Sequence, residues 1–194
     1  MLHPINLRAL KDYLLEHVEP LEHPVFGKRF RASVRLIDDT VLPCVVFQNR
    51  KDQVDLAIRR LEKLAKNPDQ YRMIVENFSF RGSRLAESEI ASVEHSLYAW
   101  PSAVVKQIRG ETTMGWTSFV VEMKDGTLHS FGTTFSFEFF DLPRGYSHDD
   151  IKSIHSGMVY SASRGLTDYS LDALKAAQVY RERPFFTCYL DDLI

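Results

Sequence analysis

The stretch from Trp116 to Phe140 constrains the fold more than any other part of the chain. It opens with a β-prone run, Trp116-Thr117-Ser118-Phe119-Val120-Val121-Glu122-Met123, passes through Lys124-Asp125-Gly126-Thr127 and continues as Leu128-His129-Ser130-Phe131. Asp-Gly between two such runs predicts a β-hairpin, because a type I′ turn needs positive φ at both central positions. A two-residue loop at Asp125-Gly126 would place Met123 opposite Leu128 and Glu122 opposite His129. Alternation then puts Thr117, Phe119, Val121 and Met123 on one face, with Trp116, Ser118, Val120 and Glu122 on the other. A second aromatic run, Phe135-Ser136-Phe137-Glu138-Phe139-Phe140, predicts a third strand with aromatics on both faces. Such a strand is either central in its sheet or covered by a helix or another chain.

Helical and strand patterns flank this centre. Asn6 is placed to cap a helix whose apolar stripe is Leu7, Leu10, Leu14, Leu15 and Val18, ended by Glu19-Pro20 and followed by a loop to Gly27. Phe30, Ala32, Val34 and Leu36 alternate with Arg31, Ser33 and Arg35, which predicts a half-buried strand with a basic outer face. Asp38-Asp39-Thr40 turns the chain into a return strand from Val41 to Gln48, in which Pro43 calls for an edge or a bulge. A second helix is expected from Asn49 or Asp52, with Val54, Ala57, Ile58, Leu61, Leu64 and Ala65 buried. Arg59, Arg60, Lys63 and Lys66 suit its C-terminal end, and a strand follows over Tyr71–Phe80. Ile90, Val93 and Leu97 are spaced for a helix over 87–97, and a short strand is expected over 103–108. Ser147 with Asp150 resembles a capping box, and Ile151, Ile154, His155, Met158 and Val159 fit one helical face. After a polar loop around Gly165, a last helix is expected with Leu171, Leu174 and Ala177 buried. The final strand is Phe185–Leu190.

Strands clustered in the middle and helices towards the ends argue for an α+β fold. The expected sheet is mostly antiparallel, with room for a parallel crossover through Val41–Phe80 that would make it mixed. It would hold about seven to eight strands, with helices packed on one face. The chain has 194 residues, fits a single globular domain over 1–194, and is 44% hydrophobic, which is enough for a core. Its formal charge of −2 argues against a general nucleic-acid binder. The charge is uneven, with 17 Lys+Arg against 14 Asp+Glu in residues 1–110 and 7 against 12 in residues 111–194. Cys44 and Cys188 sit in apolar runs and read as buried free thiols. No apolar run is long enough for a bilayer, and the first residues lack the features of a secretory signal. A cytoplasmic protein away from membranes is expected.

The familiar signatures for phosphate loops, dinucleotide binding, nucleophile elbows and zinc proteases are missing. Three residues carry the candidate acid–base chemistry. Glu122 and His129, cross-strand neighbours in the expected register, would form a carboxylate–imidazole pair, either catalytic or a solvent-facing charge pair. Glu138, between Phe137 and Phe139, either points outward by alternation or is buried as an acid needing a partner among Arg81, Arg84, Arg109, Arg144 and Arg164. His148 and His155, two turns apart on a helix with Asp149 and Asp150, are too far apart for one ion, so no metal and no cofactor are expected. Arg29, Arg31, Arg35, Arg59, Arg60, Arg81 and Arg84 read as a solvated face, since Phe30 points away from them. These readings favour a non-enzymatic interaction protein, a regulator, inhibitor or assembly factor with a protein partner and with homo-oligomers allowed. The alternative is a small-molecule enzyme using a carboxylate–histidine pair in an aromatic-lined pocket.

Overall fold

The computed structural model describes residues 2–24, 27–51, 54–55, 58–59, 84–134 and 136–193. They form an α+β structure with three sheets, of six, four and two strands, in place of one sheet of seven to eight. The sheets are mixed, since antiparallel pairs dominate but three pairs are parallel. The chain divides into two compact units, one of residues 1–97 and 185–194, the other of residues 98–184. No helix among the described residues is long and apolar enough to cross a membrane.

In the first unit α1 (Leu7–His17) starts where Asn6 accepts hydrogen bonds from the backbone N–H of Arg8 and Ala9. Its buried positions are Leu10 and Leu14, with Val18 just beyond the helix, while Leu7 and Leu15 face solvent and leave the expected stripe narrower. The expected loop after Pro20 is instead a strand. β1 (Pro20–His23) pairs antiparallel with the first residues of β2 (Gly27–Leu36). β5 (Ile90–His95) takes the rest of the same β2 edge, and β3 (Val41–Asn49) takes the other edge. β12 (Phe186–Leu190) lies parallel between β3 and the two-residue β4 (Arg84–Leu85).

Phe30, Ala32, Val34, Val45, Phe47, Cys188 and Leu190 build this unit's core with Leu10, Leu14, Ile90 and Val93. Both cysteines are buried and free, and burial pushes the Cys188 thiol up to about 12. The ladder skips a residue opposite Ala32 and Val34, putting the bulge at Pro43-Cys44, where proline has no N–H to lose. The expected basic outer face of β2 survives only at Arg35, which reaches solvent and pairs with Asp39 at 2.7 Å. Arg29 and Arg31 are buried, beside equally buried Val46 and Gln48, and Arg29 Nε donates to Gln48 Oε1 at 3.0 Å. A buried strand can hold a guanidinium whose N–H groups find acceptors, as Arg29 Nε does here, whereas Arg31 Nε finds none among the described residues.

The helix expected over 87–97 is a 3-10 turn (Glu87–Glu89) followed by β5. Leu36 faces Ile90 and Arg35 faces Ser92, so Ala91 is an extra, bulged residue. One inserted residue turns the strand's i, i+2 spacing into i, i+3, which imitates a helix. Residues 50, 51, 54, 55, 58 and 59 are helical as expected, but Val54 and Ile58 are exposed. The rest of that helix, including residues 60–66, and the Tyr71–Phe80 strand lie outside the described residues.

In the second unit the expected strand over 103–108 is a short helix, α2 (Ser102–Val105), opened by Pro101, whose carbonyl accepts from Val104 and Val105 N–H. A four-stranded sheet follows, ordered β11 (Val179–Arg181), β7 (Leu128–Thr133), β6 (Thr117–Met123), β8 (Ile151–Ser156). The expected helix over 151–159 is β8 together with β9 (Met158–Ser161). Glu122 faces Ser153 and Met123 faces Ile151, so Lys152 is bulged. Again a bulge produces a false helical spacing, here between Ile151 and Ile154.

β9 pairs with β10 (Gly165–Asp168), where a loop was expected, and crosses one face of β6 and β7. Two buried serines make this crossing. Ser118 Oγ donates to Met158 O at 2.9 Å, and Ser130 Oγ accepts from Tyr160 N–H at 2.7 Å and donates to Tyr160 O at 2.9 Å. They supply hydrogen bonds that a strand lying across a sheet does not find in a ladder. α3 (Leu171–Ala176) is capped by Ser170 and buries Ala173, leaving Leu171 exposed, contrary to the expected stripe.

The opposite face of the sheet holds the aromatic cluster. The Trp100 ring lies 5.0 Å from Phe131 and 5.1 Å from Phe140, and Phe119 stacks on Phe131 at 5.4 Å. The third strand expected over 135–140 contributes only a single bridge from Phe140 to Glu182, and Phe135 lies outside the described residues.

Candidate functional site

The hairpin forms where expected but in a different register. Glu122 pairs with Leu128 and Val121 with His129. The loop has three residues, Lys124-Asp125-Gly126, closed by Gly126 N–H to Met123 O and Met123 N–H to Thr127 O. Only Gly126 has positive φ, at 86°, so the type I′ turn is replaced by a turn ending in a left-handed glycine. Asp125 favours this form, since its Oδ1 accepts from Thr127 N–H at 2.9 Å and from Thr127 Oγ1 at 2.8 Å. A one-residue change of register moves a side chain to the other face. Glu122 and His129 therefore lie on opposite faces of the sheet and do not pair.

Glu122 finds other partners on β8. Its Oε1 accepts from Lys152 Nζ at 2.7 Å, and its Oε2 accepts from Ser153 Oγ at 2.8 Å and lies 3.2 Å from His155 Nε2. Lys152 reaches Glu122 from the bulge, while Ser153 and His155 share the Glu122 face by alternation. The Lys152 hydrogen bond, followed by those of Ser153 and His155, holds the Glu122 carboxyl down at about 2. This is not a nucleophilic relay. Ser153 gives its proton to the carboxylate, and the serine and the carboxylate both approach the same imidazole nitrogen.

The stability linked to Glu122 has a defined sign. A carboxyl depressed in the fold contributes stability above its ordinary value of 4.5, which is lost as pH falls towards about 2. Glu122→Gln is expected to lower the urea midpoint modestly at neutral pH. The gap from the unmodified protein should close as the titration is carried below pH 4.5. A gap that stays constant down to acid pH would show that the ionised carboxylate is not its source.

His129 sits with Val121 and Phe131 on the aromatic face. Its ring is 5.5 Å from Tyr146 and 6.0 Å from Tyr180. Burial lowers its pKa from 6.5, opposed by the charge of Asp125. Its Nε2 is enclosed and has no hydrogen-bond partner among the described residues. Tyr146 closes the cluster by donating its hydroxyl to Asp125 Oδ2 at 2.7 Å.

Glu138 is buried, at 2% exposure, so the outward orientation suggested by alternation does not hold. The segment that carries it is not a regular strand, and alternation has no force there. Its Oε2 accepts from Ser136 Oγ at 2.7 Å. Of its candidate arginine partners, Arg81 lies outside the described residues. The fold thus leaves Glu122, His129 and Glu138 in three separate settings. His155, the partner Glu122 actually has, was visible only as a metal-capable residue on a supposed helix. Among the described residues no group of three or more His, Cys, Asp or Glu side chains is gathered as for a metal ion.

A different feature of this unit is built for display. Residues 112–116 form a tight turn closed by hydrogen bonds from Thr112 and Thr113 N–H to Trp116 O and from Trp116 N–H to Thr113 O. Gly115, with φ at 75°, permits the reversal. The Trp116 ring lies against Gly132, and the Arg181 guanidinium covers it at 4.5 Å. Glu182 holds Arg181 in turn through Nε at 3.0 Å. At the apex of this anchored turn Met114 is 95% exposed. The sequence carries Thr113-Met114-Gly115 directly before Trp116, with glycine the one turn signal in the run. No known protein family, curated protein or solved structure gives a significant match to this chain.

Proposed function

We propose that this is a non-enzymatic interaction protein of the cytoplasm, a regulator, inhibitor or assembly factor that engages a protein partner through the Met114 turn. The presentation of Met114 carries this reading. A large, adaptable apolar side chain stands free on a backbone fixed by three hydrogen bonds and a clamped tryptophan. A fixed backbone lowers the ordering cost of association, and an unbranched thioether fits an apolar pocket of a partner. The state of Glu122 supports the same reading over acid–base catalysis. A carboxylate held at about 2 by three donors does not exchange protons near neutrality.

The test compares the tagged protein with Met114→Asp as bait in its native lysate, washed at low and at high salt. Because Met114 touches little, the variant should keep the thermal midpoint of the unmodified protein. The expected result is a stoichiometric protein partner bound by the unmodified bait and lost by Met114→Asp. Equal capture by both baits, or none by either, overturns the assignment to this turn.

A further inference from the structure

We propose that His129, Asp125 and Tyr146 form an acid-operated latch, which holds the 141–147 segment on the β6–β7 turn near neutral pH and releases it when His129 takes up a proton. The parts come from separate elements. Asp125 belongs to the turn, His129 to β7, and Tyr146 to the segment leading into the 3-10 turn His148–Asp150. The segment is held through Tyr146, whose hydroxyl donates to Asp125 Oδ2 at 2.7 Å and lies 2.8 Å from Thr127 Oγ1. The other carboxylate oxygen, Oδ1, is tied to Thr127 within the turn. Oδ2 is therefore the oxygen that can change partners.

A neutral imidazole tolerates this arrangement, but an imidazolium does not. Both its nitrogens are donors, and Nε2 is enclosed beside Tyr146 and Tyr180 with no acceptor among the described residues. The groups around it leave one carboxylate to answer the new charge. Asp125 comes from the turn, Tyr146 from the following segment and Tyr180 from β11, and behind them Asp150 acts on Tyr146 and Asp125, with Lys124 acting on Asp150. Asp125 already acts on the imidazole, whereas Asp150 is engaged by Ser147 N–H and Oγ. Glu122 and His155 are on the other face of the sheet. Once His129 carries a proton from solvent, Asp125 Oδ2 turns to it and the Tyr146 hydroxyl, still protonated, donates its hydrogen bond to water instead. The middle of the segment then keeps its own turn, Tyr146 N–H to Pro143 O, and the 2.8 Å approach of Tyr146 to Thr127 Oγ1, while its ends stay tied by Arg183 to Asp141 and by Ser147 to Asp150.

The sign is fixed by the direction of the shift. The folded protein disfavours the imidazolium, so the closed latch is stable above the ordinary histidine value of 6.5 and weakens as pH falls below it. Amide hydrogen exchange over residues 141–147, corrected for the intrinsic pH dependence, reads the opening directly. Between about pH 7.5 and about pH 5.5 it should increase in the unmodified protein, by at most about tenfold per pH unit for one linked proton. His129→Gln should hold its exchange constant over that range, and Tyr146→Phe should be open throughout. In the unmodified protein the NMR titration of the His129 imidazole should share its midpoint with the opening. An exchange rate indifferent to pH, an acid response that survives in His129→Gln, or two different midpoints would each overturn the latch.

Discussion

Gly132→Ala is expected to unseat Trp116 and destabilise the second unit. A Cβ built on Gly132 overlaps the six-membered part of the Trp116 ring, and moving that ring away disturbs its contact with the Arg181 guanidinium. Glycine is needed here for space rather than for an unusual backbone conformation. Forcing a methyl into a filled contact costs about 1–3 kcal/mol by overpacking. The loss of the guanidinium–indole contact adds about 0.5–1 kcal/mol. The measurement is a denaturant titration of Gly132→Ala, Trp116→Ala and the double variant. If the overlap is the cause, the glycine substitution costs much less once the indole is gone, a coupling of about 0.5–3 kcal/mol for residues in contact. Equal cost in both backgrounds would place the effect in the backbone of β7. The same variant bears on Met114, because the displaced tryptophan is the base of the turn that presents it.

Trp100→Ala is expected to have the largest effect on stability of any single side-chain truncation in the aromatic cluster. Trp100 is fully buried and touches Phe119, Phe131 and Phe140. Removing a buried indole costs about 3–5 kcal/mol, because the surrounding rings, themselves anchored on strands, relax only in part. That is a large share of a typical folding free energy of about 5–15 kcal/mol. Near-ultraviolet circular dichroism should lose most of its aromatic signal, with the thermal midpoint lowered in parallel. Trp100→Phe separates volume from polarity. The indole N–H of Trp100 has no hydrogen-bond partner among the described residues, so losing it removes an unmet donor and offsets part of the lost volume. A Phe variant as unstable as the Ala variant would contradict that account.

The α+β class, though not the division into three sheets, the first helix with its Asn6 cap, the β2–β3 hairpin, the position of the Asp-Gly turn and the last strand were legible in the residues. What was not legible has a common physical origin. Ile90/Val93 and Ile151/Ile154 were read as helical pairs, yet each straddles a bulged residue in a strand. Spacing alone does not separate a helix from a bulged strand, because both bring i and i+3 to one side. The register of the β6–β7 hairpin turned on whether one or two turn residues take positive φ, a choice made by Asp125's side-chain bonds to Thr127. That single step separated Glu122 from His129 and sent Glu122 to β8, a strand that helical spacing had concealed. Arg29 and Arg31 were placed outward because alternation assumes one wet face, and their strand has none; Glu138 sits in a segment that is not a regular strand, where alternation does not apply. Ser118 and Ser130 looked like unremarkable strand residues. Their role in holding β9 depends on a crossing that only the tertiary structure contains.

The place of β12 has a consequence for how the molecule comes into being. The strand beside β3 in the first sheet is made of residues 186–190, and the whole second unit is encoded between it and β5. On the ribosome, the N-terminal strands emerge with the edge of β3 bare and the core residues Cys188 and Leu190 not yet synthesised. The second unit has all of its own sequence first and can fold while the earlier one waits. The unit whose strands are made first is thus the one whose sheet is completed last. During that interval the open edge of β3 is a template for any passing strand, including one from another nascent copy.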